Sequence, residues 1–162
     1  MNIDSSSFVG EPDLIRALWQ HAIPLNCSED RELFRQGEDP SGLYILLSGK
    51  ATMLLDNDEG IQVVQVSMEP GSLLGLPALV SDRPYSMSSI AKRGAIVGLV
   101  NRNDFSLLML SEPLLALMIL RVLAAEVRST RAAISSCETL PHRGRALRRK
   151  RPAPKLRSRT AN

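Results

Sequence analysis

Residues 33–51, LFRQGEDPSGLYILLSGKA, constrain the fold of this chain more than any other stretch. A turn, a buried strand and a second turn follow one another within nineteen residues. Gly37 opens a bend, since glycine enters positive φ without a Cβ penalty. Asp39-Pro40-Ser41-Gly42 then reads as a β-turn, with proline pre-setting φ and glycine closing it. Residues 43–47 form a short, nearly continuous apolar run, and Ser48-Gly49-Lys50 predicts a reversal before a strand at 51–55.

Further strand-like segments with turn signals between them fall at 22–27, 31–34, 61–66, 86–91 and 95–100. The acidic run 56–60 reads as a hairpin loop. Many short strands at this spacing predict a sandwich or roll and argue against alternating βα units. Before them, residues 11–20 predict a short helix. Pro12 fits its first turn, Asp13 complements its positive end, and Leu14, Ile15, Leu18 and Trp19 share one apolar face.

After Val100 the pattern becomes helical. Residues 101–110 predict a short helix with an Asn or Asp cap, and Ser111 and Pro113 predict the cap and first turn of a long one ending near Cys137. Within it Ala116, Leu120, Leu123, Val127, Thr130, Ile134 and Cys137 recur at alternating spacings of four and three. That is the narrow stripe that zips two helices together. Leu115, Met118, Ile119 and Val122 supply a second apolar face for the strands. A homodimer through Leu120, Leu123, Val127, Thr130 and Ile134 is therefore expected, with Arg121, Glu126, Arg128 and Arg131 lying off the seam.

Composition closes off several function classes. The 162 residues suffice for one domain with a real core. Cys27 and Cys137 make neither a disulfide framework nor a paired metal motif, and His21 and His142 are expected to have structural roles only. There is no Ser-His-Asp set, Walker loop or paired-carboxylate motif, so no enzyme is expected. The polar, non-basic first residues do not read as a secretory signal, and the longest apolar stretch, 114–120, is too short to cross a bilayer. A cytoplasmic protein without a membrane partner is expected. Charge is divided unevenly. Residues 143–159 hold nine of the 20 Lys and Arg and no acid, leaving eleven basic against 17 acidic residues in the remainder.

The turn and strand spacing of 33–51 resembles the start of the cyclic-nucleotide-binding domain in the form found in Crp/Fnr-type bacterial regulators, and the resemblance covers roughly residues 11–138. It implies a mostly β fold with flanking helices: an antiparallel β-roll or jelly roll of about eight short strands, a short N-terminal helix and a long C-terminal dimerisation helix. Residues 68–87 match that family's phosphate-binding cassette in outline. Gly71 and Gly75 match its glycines, Ala78 and Leu79 its short helix, and Pro84 the proline before its arginine. In such a cassette helix amides and an arginine hold a cyclic phosphate, while a glutamate accepts from the ribose hydroxyl. Here Leu76 stands in the glutamate's place and Tyr85 in the arginine's. Thr130 falls where cAMP-responsive members place a purine-reading threonine.

The resemblance thus implies an altered pocket drawn from Gly75, Leu76, Pro77, Ala78, Arg83, Tyr85, Ser86 and Thr130. No cofactor is assigned. The pocket is open to a small-molecule effector, an apolar one included, or to no ligand at all, and a cyclic nucleotide stays open as ligand although both key contacts are replaced. Restoring Leu76→Glu and Tyr85→Arg together is expected to return affinity. Residues 139–162 are expected to form a basic, disordered tail in place of the family's winged helix. Arg145, Arg148, Arg149, Lys150 and Arg151 are candidates for non-specific contact with nucleic acid. Two readings follow: a dimeric ligand-sensing domain acting on transcription, or a stand-alone protein-interaction module that keeps the fold and binds no cyclic nucleotide.

Overall fold

The computed structural model describes residues 3–138. The side chain of Cys137, and the basic segment with His142, Arg145, Arg148, Arg149, Lys150 and Arg151, lie outside the described residues.

Eight strands pair antiparallel in two four-stranded sheets. They are β1 (Ile23–Asn26), β2 (Arg31–Phe34), β3 (Gly42–Ser48), β4 (Ala51–Asp56), β5 (Gln62–Met68), β6 (Leu73–Leu74), β7 (Ser88–Ala91) and β8 (Ile96–Asn101). One sheet has the order β1-β8-β3-β6 and the other β2-β7-β4-β5. Four helices flank them: α1 (Pro12–Trp19), α2 (Leu76–Ser81), α3 (Arg102–Ser111) and α4 (Pro113–Glu138). A 3₁₀ turn at Ser5–Phe8 precedes α1.

The apolar run at 43–47 is explained by burial on both faces of β3. Tyr44 and Leu46 belong to the core between the sheets, with Met53, Val64, Val66, Met68 and Val97. Leu43 and Ile45 point the other way, into a second core with Leu14 and Leu18 of α1, Phe105 and Leu108 of α3, and Ile119 and Val122 of α4. The predicted faces of α1 and α4 are thus the packed ones. β5 is covered on one side only, and its burial alternates with Val64, Val66 and Met68 inside.

Two local expectations are corrected. The turn at 39–42 does not form: the bend falls at 36–38, and Gly42 is the first residue of β3. Glycine is needed at 42 for close approach, because a Cβ there would lie 2.4 Å from the Val100 carbonyl oxygen. Ser111 does not cap α4. It is the last residue of α3, and its hydroxyl donates back to the Leu108 carbonyl at 3.4 Å. Asn101 does cap α3, accepting from the Asp104 amide at 3.0 Å. On α4, Leu123 packs partly on the helix-side core and Thr130 is half buried against the roll, whereas Leu117, Leu120, Val127 and Ile134 are each about half exposed.

Candidate functional site

The segment from β6 through α2 to β7 has the layout of the cassette but a different interior. Gly75 caps α2 with φ at +84°, a left-handed conformation that a side chain would strain. It also admits a ring: a Cβ on Gly75 would sit 2.7 Å from Cε1 of Tyr85. Tyr85 is only 3% exposed and stacks on Phe34 with ring centroids 4.0 Å apart. Its hydroxyl donates to the Gly42 carbonyl at 2.8 Å and accepts from the Ser41 amide at 3.1 Å. Its backbone is fastened too, through the Tyr85 amide to the Glu38 carbonyl (2.9 Å) and the Gly37 amide to the Tyr85 carbonyl (2.8 Å). Tyr85 is therefore a bolt between the 36–42 loop and the start of α2. α2 has six residues, with Pro77 in its first turn. Proline removes one amide there.

The remaining expected site residues divide into two groups. Leu76 is fully buried in the helix-side core with Leu14, Leu43, Ile45 and Ile119, and is not among the residues lining the cavity behind Tyr85. Arg83 is exposed beyond the C-terminus of α2. Gly75, Pro77, Ala78, Tyr85 and Ser86 do come together, around a cavity of about 40 Å³ closed by Phe8, Phe34 and Met53. That is room for water, well short of the ~300–1,000 Å³ of ordinary ligand sites.

A larger groove opens beside it, between the roll and α4. It measures about 440 Å³, and Thr130 and Ser86 line it together with Pro77. Its apolar walls are Ile3, Phe8, Leu55, Met87 and Val127, and Arg131 also lines it. Ser129, next to Thr130, is engaged elsewhere: its hydroxyl accepts from the Asp4 amide at 2.9 Å.

Sequence reasoning missed the group these two spaces share. Glu126 lines both the small cavity and the groove, and is 7% exposed. Its Oε1 is buried with no hydrogen-bond partner. Removal from water pushes its pKa up to about 8, so the carboxyl is mostly protonated at neutral pH. Off the expected seam, Glu126 turns toward the roll, where Phe8 of the 3₁₀ turn and Ser86 and Met87 line the same spaces. Among the described residues no group of three or more His, Cys, Asp or Glu could hold a metal ion. No single helix among them is long and apolar enough to cross a membrane.

Comparisons with known proteins agree with this architecture. Residues 24–112 match the family model described as the cyclic nucleotide-binding domain. The catabolite activator protein of Thermus thermophilus has a similar fold, with a TM-score of 0.68 and 21% identity over 79% of this chain and 60% of that one. The c-di-GMP responsive regulator CLP of Xanthomonas campestris gives 0.66 and 16%, covering 81% of this chain and 66% of that one. The sensor domain of the transcriptional regulator DNR from Pseudomonas aeruginosa gives 0.58 and 20%, covering 81% and 86%. This chain thus spans 60% of the length of the Thermus protein.

Proposed function

This chain belongs to the cyclic nucleotide-binding domain family, and we propose that it is a ligand-sensing, dimerising regulatory domain of the Crp/Fnr type, acting in transcription regulation without catalytic chemistry of its own. A regulator of that kind works in the cytoplasm. The observation that carries the reading is that one helix, α4, serves two surfaces. Its inner side lines the 440 Å³ groove, and its outer side presents Leu117, Leu120, Val127 and Ile134 to solvent. Val127 takes part in both. A ligand seated in the groove therefore touches the element through which a second copy would pack. Such a ligand shifts the dimer only to the extent that it favours one helix arrangement over another.

The pocket is atypical in this reading. The place of a phosphate-binding arginine is taken by Tyr85, which is neutral and already hydrogen-bonded to backbone. A desolvated anion without a cationic partner is costly. The effector is accordingly a molecule other than cAMP or cGMP. The test is a thermal-shift panel of cAMP, cGMP and c-di-GMP beside small apolar compounds, read together with sedimentation. A ligand at 100 times its Kd stabilises by about 2.7 kcal/mol, a rise of several degrees at about 2–4 °C per kcal/mol. A dimer stabilised by a small non-nucleotide compound is the expected result. A strong shift with cAMP overturns the atypical pocket. A panel silent for every compound favours the protein-interaction module.

A further inference from the structure

The groove between the roll and α4 holds a carboxyl that none of the described residues pairs. Glu126 is 7% exposed and lines both spaces, and its buried Oε1 has no hydrogen-bond partner. Among the described residues no ion pair includes it, and Arg131 is the one other charged residue lining the groove. The 3₁₀ turn, β4, α2 and the 86–87 segment contribute no charged side chain to either lining. A carboxyl oxygen is satisfied by a donor, and best by a charged one, since charge-assisted hydrogen bonds are about twice as strong as neutral ones. The walls above it, Phe8, Leu55, Met87 and Val127, offer contact to an apolar body and little else. The volume of about 440 Å³ falls within the range of small-molecule sites.

We propose that this groove is a binding site for a small hydrophobic amine, whose ammonium pairs with the Glu126 carboxylate while its aryl or alkyl body lies between Phe8, Met87 and Val127. The proposal rests on the ligand-sensing reading above and names the chemical class of the effector. An anionic ligand keeps the Glu126 carboxyl in its neutral form and forgoes the ion pair that an ammonium makes there. A neutral alcohol fills the walls but gives the carboxyl a weaker partner. Proton balance follows directly. The unliganded carboxyl holds its proton near neutral pH, and an arriving ammonium stabilises the ionised form. Binding therefore releases about one proton from Glu126 to solvent, and no covalent bond changes.

The experiment is calorimetry on the full chain at pH 7 with phenethylamine, 2-phenylethanol and phenylacetic acid, in two buffers of different ionisation enthalpy. Phenethylamine is expected to bind at least tenfold more tightly than the alcohol, with release of about one proton per ligand. In Glu126→Gln the preference for the amine should fall below twofold while alcohol affinity is unchanged. If the variant does not fold, the ratio of amine to alcohol affinity on the unmodified chain still decides. Equal affinity for amine and alcohol, or tighter binding of the acid, overturns the Glu126 anchor and leaves ligand sensing standing. Absence of binding by all three overturns the amine proposal. Joined to a silent nucleotide panel, it overturns the sensing reading as well.

Discussion

Tyr85 Oη accepts from the Ser41 amide and donates to the Gly42 carbonyl in a buried setting, so its loss strands backbone groups as well as a side chain. Tyr85→Phe keeps the stack on Phe34 and should cost about 1–3 kcal/mol, the penalty for an unsatisfied buried group, measured by urea denaturation at unchanged m-value. A cost near zero would mean that the hydroxyl is not the bolt described here. Leu76 carries a different consequence. It lies at 0% exposure among Leu14, Leu43 and Ile45, so Leu76→Glu would bury a carboxyl in hydrocarbon. The pair Leu76→Glu and Tyr85→Arg, which the residue spacing alone suggests would restore cAMP affinity, is now expected to lower the melting temperature sharply. Glu126 sets a pH dependence. The native state holds its proton up to about pH 8, whereas the unfolded chain releases it near 4.5. Unfolding between those values releases a proton, so stability falls as pH rises from about 5 to 8, by up to about 1.4 kcal/mol per unit. Arg131, lining the same groove, is exposed and offsets little of this. Glu126→Gln should flatten the profile across that window, and an unchanged slope would mean that the native carboxyl is already ionised.

At the scale of elements, α4 is the decisive helix. Leu120 and Ile134 are exposed and line neither the cavity nor the groove, so Leu120→Glu with Ile134→Glu should leave the melting temperature within a few degrees. The same pair should convert a sedimenting dimer to a monomer by burying like charges at the seam. An unchanged dimer mass would move the interface off this face. The strands were legible because turn residues punctuate them, and β2 falls at Arg31–Phe34, as read from the chain. β6 was not legible, since two residues carry no period. Which apolar stripe of α4 meets the roll was only half legible, for a physical reason. The first turns of α4 are apolar nearly all round, at 114, 115, 117, 118, 119 and 120, so periodicity cannot say which stripe meets the roll. Tertiary packing settles it by turning Leu123 inward.

At the scale of the whole molecule, the cassette was legible as an outline of glycines and prolines, but its contents were not. Burial of Glu126 depends on Phe8, Pro77 and Met87, which lie far away in sequence and meet only in the folded roll. A charged residue on a helix gives no local signal of that. Charge asymmetry makes a separate prediction for residues 143–159, which hold nine basic residues and no acid. Removing 139–162 should abolish duplex DNA binding at low salt, and binding by the full chain should fall with log salt at about −0.9 per phosphate contacted. Discrimination between DNA sequences at physiological salt would contradict this. The central claim is that a member of this family has closed its phosphate cradle with Tyr85 and keeps its ligand space along α4. Calorimetric titration of the unmodified chain with cAMP tests it most directly. No heat beyond dilution up to about millimolar ligand, a limit that would place binding weaker than about −4 kcal/mol, is the predicted result; saturable one-to-one binding at micromolar cAMP would contradict it.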